Sequence, residues 1–102
     1  MQNMFIAILK YVKPIAEIDA LLQKHREHLQ RFLDEGKLII SGKLQPRTGG
    51  VIIAKNISRD KFEKFLRDDP FAQAKVSEYQ IIEFVPGLHD PALSTQQREK
   101  KE

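Results

Sequence analysis

Side chains alternate at a period of two, then recur at helical spacing. Two short apolar runs follow, split by a glycine-rich turn, and the helical and alternating periods then return. The sequence therefore predicts the α+β fold class, in the order strand, helix, strand, strand, helix, strand. Elements in this order make the ferredoxin-like βαββαβ unit, a four-stranded antiparallel sheet with both helices on one face.

Residues 4–12, MFIAILKYV, are rich in β-branched and aromatic types, and Pro14 closes the run. Phe5, Ala7, Leu9 and Tyr11 share one face; Met4, Ile6, Ile8 and Lys10 share the other. Two largely apolar faces predict a central strand covered on both sides. Beyond Pro14, Ile18, Leu21, Leu22, His25, Leu29, Phe32 and Leu33 recur at helical spacing. Gly36 is expected just past the end of that helix. Leu38 to Gly42 reads as a short strand, Gln45 to Gly50 as a turn, and VIIAK from Val51 as the next strand. Ser58 is the expected N-cap of a second helix, with Asp60 in its first turn and Phe62, Phe65 and Leu66 as its apolar stripe. Pro70 forces Asp69 into extended backbone, so this helix ends before Asp69, and a further half turn is expected over residues 72–76. In SEYQIIEFV, Tyr79, Ile81, Glu83 and Val85 alternate with Gln80, Ile82 and Phe84 as the last strand. Helices cover one sheet face, and a second copy of the chain is expected on the other, which makes a homodimer the economical assembly.

At 102 residues the chain reads as one domain over 1–86, followed by a polar tail over 87–102 whose end is expected to be mobile. Without cysteine there is no disulfide framework, thiolate metal site or thiol nucleophile. The net charge of +3 comes with acidic and basic residues interleaved. There is neither a one-sided basic face nor a recognition module, so nucleic acid is not an expected partner. No secretory pattern is visible and no apolar run reaches the roughly 18 residues of a membrane helix. The cytoplasm is the expected location.

His25 lies three residues after Leu22 and four before Leu29, so it points with the core stripe. An imidazole there is either a core-edge hydrogen-bonding group or, in a cleft and oriented by a carboxylate, a general acid or base. Asp69 is the candidate carboxylate, because Pro70 fixes its backbone and Phe71 buries the loop; its plainer role is turn capping. His28 is rotated about 60° from His25 and is expected to border solvent. That pair makes a poor metal site, since i, i+4 is the better helical spacing and no third ligand is evident; no metal is expected. Ser41, at the end of the second strand, lacks the strained elbow and neighbouring base of a nucleophile. Gly49-Gly50 lacks the Gly-Lys-Ser/Thr ending of a phosphate loop and reads as a turn. Arg47 reads as a cation at a pocket mouth, suited to an anion.

Four signatures, in order, resemble the YciI-like (YCII-related) family of small dimeric α+β proteins. They are His25 placed eleven residues before Gly36, Ser41-Gly42, Pro46-Arg47-Thr48-Gly49-Gly50 leading into VII, and Asp69-Pro70-Phe71. EYQIIEF fits as well, and the resemblance spans residues 4–86. It implies a ferredoxin-like fold that dimerises through its sheets into an α/β barrel, with a site built on a His25–Asp69 dyad and with Ser41 beside it. One relative is a dehydrochlorinase acting on a chlorinated hydroxybenzene, and related barrels include muconolactone isomerases. Two departures stand out. Ser41-Gly42-Lys43 replaces the usual Ser-Gly-Pro, which adds a cation near the pocket, and Ala74-Lys75 replaces a common Ala-Gly.

Two functional readings follow. In the first, Asp69 orients His25 as a general acid or base for elimination or isomerisation of a small aromatic or anionic metabolite. Ser41, Lys43 and Arg47 contact that substrate, and no cofactor is required. In the second, the chain is a non-catalytic dimeric module for a small ligand or a protein partner.

Overall fold

The computed structural model describes residues 2–94. Its elements are β1 (Met4–Tyr11), α1 (Ile15–Asp34), β2 (Leu38–Lys43), β3 (Gly49–Ala54), α2 (Arg59–Arg67), α3 (Pro70–Gln73) and β4 (Ser77–Phe84). Pro91–Ser94 make a single 3₁₀ turn, and Lys55 Nζ donates to the Leu93 carbonyl at 3.3 Å. The remainder of the expected tail lies outside the described residues.

The four strands form one antiparallel sheet in the order β2-β3-β1-β4, as the βαββαβ reading expects. The register sorts the side chains. Phe5, Ala7 and Leu9 share the helix-facing side with Ile52, Ala54, Tyr79 and Ile81. Phe5, Ala7, Leu9, Ile52 and Ala54 are buried there, beneath Ile18, Leu29 and Phe32 of α1 and Phe62 and Leu66 of α2. Across the opposite face, Ile40, Ile53, Ile6 and Ile82 line up as one row by strand pairing. Ile40 and Ile82 are exposed at its ends, and the expectation of a second copy rests on this face.

The expected barrel is not present. Pairing runs from β2 through β3 and β1 to β4, and no bonding links β4 back to β2, so the sheet is open. The physical reason is strand number, since a closed sheet with a side-chain-filled interior takes about eight strands and the described residues supply four.

Local chemistry sets the element ends. After α1, Gly36 adopts φ +76°, Gly36 N–H donates to Leu33 and Lys37 N–H donates to Phe32, which caps the last carbonyls as a Schellman turn. Ser58 caps α2 by accepting from Lys61 N–H at 3.3 Å. α2 stops at Arg67, and the half turn expected at 72–76 begins earlier, at Pro70, because proline is well placed at the first position of a helix. Leu33, expected on the buried stripe, is 48% exposed, and His28 takes a buried place instead. The glycine pair also differs from expectation. Gly49 and Gly50 open β3 rather than forming the turn, and the connection is Leu44 to Thr48.

Lys75 follows α3 with φ +59°, a left-handed conformation that costs a residue bearing a Cβ roughly 1 kcal/mol. Glycine relieves that strain at some cost in unfolded-chain entropy. Lys75→Gly is therefore expected to stabilise the fold by about 0.5 kcal/mol, read as a higher urea midpoint at unchanged slope.

Candidate functional site

Three elements meet at Asp69. Its backbone is extended (φ −63°, ψ 135°), as the following proline requires, and its side chain caps α3 by accepting from Phe71 N–H at 3.0 Å. The same carboxylate faces α1, where His25 Nδ1 lies 2.9 Å from Oδ1 and 2.8 Å from Oδ2. From β4, Tyr79 donates its hydroxyl to Oδ2 at 2.9 Å. Turn capping and histidine pairing, the two sequence readings of Asp69, are thus both present in one side chain.

Asp69 is fully buried, where an isolated carboxylate costs many kcal/mol; donors from three elements offset that cost. Phe71 N–H and Tyr79 O–H can only donate here, and the network assigns a proton to His25 Nδ1 as the third donor. The ring is held flat on Phe71, with centroids 4.0 Å apart and planes within 6°, while Tyr11 meets the same phenyl edge-on. With Nδ1 engaged, Nε2 is the nitrogen left for the cleft that His25 helps to line. Burial first, then the charge of Asp69 and its hydrogen bond, push the Tyr79 phenol well above its usual range. Because that acid's folded value is raised, its contribution to stability is complete below the unfolded value of about 10 and declines as pH rises above it.

The cleft has a volume of about 210 Å³. Leu9, Leu22, Leu29 and Ile52 supply apolar walls, and His25, Arg26, Ser41 and Lys43 supply the polar side chains. Ser41 and Lys43 enter from β2 on the helix-facing side, opposite Ile52 and Gly50. His25, Ser41 and Lys43 are thus brought together, with Asp69 behind the histidine. Arg47 is not among the cleft residues; its guanidinium binds Asp19 on α1, Nη2 to Oδ1 at 2.6 Å.

His28, expected at the solvent border, is buried. Its Nε2–H donates to the Phe65 carbonyl at 2.7 Å, its Nδ1 accepts from Arg31 Nη2 at 2.9 Å, and its ring stacks on Phe65 at 4.2 Å. α2 packs over that side of α1, which turns a flanking position into an interior one. The two histidines therefore serve different partners, and among the described residues no three His, Cys, Asp or Glu side chains cluster as a metal site. No helix among the described residues is long and apolar enough to cross a membrane.

Sequence reasoning missed Tyr79, Arg26 and the stacking role of Phe71. For Tyr79 a signal existed: a phenol on the core side of a strand needs a partner for its hydroxyl. Arg26 gave none, because it sits beside the apolar stripe among other charged residues.

A family model described as "YCII-related domain" matches residues 4–85. No curated protein matches the sequence. Among solved structures, the fold is similar to 5-chloro-2-hydroxyhydroquinone dehydrochlorinase from Burkholderia phenoliruptrix, determined in complex with 2,5-dihydroxybenzoquinone. The TM-score is 0.62 at 19% identity, and the match covers 82% of this chain and 95% of that one. The likeness is one of fold.

Proposed function

From the premise that the chain belongs to the YCII-related domain family, we propose that it is a small-molecule enzyme using His25 and Asp69 for general acid/base chemistry. The observation that carries this reading is the buried hydrogen-bonded pair, with one imidazole nitrogen tied to Asp69 and the ring forming a wall of the cleft. Asp69 keeps the proton on Nδ1 and stabilises the imidazolium that forms when Nε2 takes a proton from substrate. The same Nε2–H then returns a proton elsewhere on the substrate, which is isomerisation, or stays charged while a leaving group departs, which is elimination. The similar dehydrochlorinase lends weight to the elimination class. Ser41 and Lys43 contact the substrate, Ser41 by hydrogen bonding and Lys43 by charge, and the apolar walls favour a small, ring-sized metabolite.

A panel of small lyase and isomerase substrates, including chlorinated hydroxybenzenes, tests the reading with wild type and His25→Ala. The expected result is turnover by wild type and a kcat/KM lower by about 100- to 10,000-fold in the variant, the range for removal of a positioned acid or base. Turnover retained by a folded His25→Ala protein removes His25 from the mechanism.

A further inference from the structure

We infer that Arg26 and Lys43 form an anion-binding end of the cleft, so that its ligand is a small ring carrying a carboxylate or an ionised hydroxyl. This deepens the acid/base reading and rests on it for what happens to the ligand, but not for binding.

The charges around the cleft are one-sided. Arg26 and Lys43 line it, and no carboxylate does, since Asp69 is enclosed behind His25. Four other cations are held by carboxylates: Arg47 by Asp19, Arg59 by Glu63 and Glu83, Lys37 by Glu35, and Lys64 by Asp68. Arg26 and Lys43 have no such partner among the described residues. Two cations left unmatched over low-dielectric apolar walls raise the local potential and favour an anion.

The two cations approach from opposite walls, Arg26 from α1 and Lys43 from β2. Lys43 pairs with Gly50, which carries no side chain. Arg26 and His25 both line the cleft from α1, so a ligand held at Arg26 shares the cleft with the imidazole. The volume of about 210 Å³ exceeds the roughly 150 Å³ cavity that accepts benzene and falls short of the roughly 300 Å³ at which drug-sized pockets begin. A six-membered ring with a few substituents matches that room, with its apolar body on Leu9, Leu29 and Ile52.

Matched ligands test the inference. Benzoate and benzamide share a ring and differ in charge, as do 2-hydroxybenzoate and 2-hydroxybenzamide. Each is titrated into the ¹⁵N-labelled full chain and followed by amide shifts. Each acid is expected to bind about tenfold more tightly than its amide, with shifts centred on residues 25, 26 and 41–43, since a charge-assisted contact is about twice as strong as a neutral one. Arg26→Gln with Lys43→Gln removes the preference, whereas Lys13→Gln, which lies outside the cleft lining, keeps it. Equal binding of acid and amide, a preference that survives the double variant, or no acid binding at millimolar concentration overturns the inference. Failure of the acid/base reading looks different: anions still bind at Arg26 and Lys43, but no substrate turns over in a His25-dependent way.

Discussion

Asp69→Asn is expected to lower folding stability by about 2–4 kcal/mol and to remove most of the acid–base capacity assigned to His25. The wild-type carboxylate is fully buried and accepts from Phe71 N–H, Tyr79 O–H and His25 Nδ1–H. Asparagine offers one acceptor oxygen and points an amide NH₂ at donors on the other side. At least one buried donor then faces another donor, at about 1–3 kcal/mol, and the charge assistance to the rest is lost. If the amide donates to Nδ1, the ring carries its proton on Nε2, and the base disappears from the cleft. Urea unfolding gives the stability, and ¹⁵N shifts of the imidazole give the tautomer. Tyr79→Phe is the control: it deletes one donor, keeps the charge, and should cost about 1 kcal/mol. An Asp69→Asn protein as stable as Tyr79→Phe, with His25 still protonated on Nδ1, would show that the carboxylate does not hold the network.

Gly49→Ala is the second large effect, expected to cost more than about 3 kcal/mol, or a fall in Tm beyond about 10 °C for a domain of this size. A Cβ built on Gly49 sits 1.7 Å from the Leu9 carbonyl oxygen and 2.8 Å from its carbon. Both atoms belong to the backbone of β1, which bonds to β3 on one side and β4 on the other, so neither can move aside without breaking the ladder. At Gly42, by contrast, an added Cβ meets nothing within 4 Å, and Gly42→Ala should fall within about 0.5 kcal/mol of wild type. Thermal unfolding of the two variants side by side measures the difference, and a Gly49→Ala domain melting with Gly42→Ala would place Gly49 outside the strand pairing described.

The contrast between these glycines shows how far the sequence could be read. Gly42 closes one apolar run and Gly49 precedes the next, and only the approach of β1 distinguishes them. Other positions were legible beforehand because their causes are local. Pro70 acts on the backbone of Asp69 one residue away, Gly36 supplies the left-handed conformation that ends α1, Ser58 reaches Lys61 N–H within one turn, and helical spacing turns His25 inward. His28 was misjudged for the opposite reason. The helical period gives its angle around α1, but the cover comes from Phe65, 37 residues away. The barrel expectation came from the family resemblance, and the four described strands form an open sheet instead.

By itself, then, the sequence determined the βαββαβ order, the end of α1, the ends of α2 and the inward phase of His25. Each of these follows from dihedral limits and side-chain period over a few neighbouring residues. The tertiary structure alone decided that the sheet stays open, that Tyr79 completes the Asp69 network, that Arg47 is held at Asp19, and that Arg26 joins Lys43 at the cleft. The β1–β4 register sets Tyr79 opposite Leu9, on the face where α1 and α3 hold His25 and Asp69 together. His25 and Asp69 are 44 residues apart in the chain, and distances of that kind are fixed by packing, which no local period encodes.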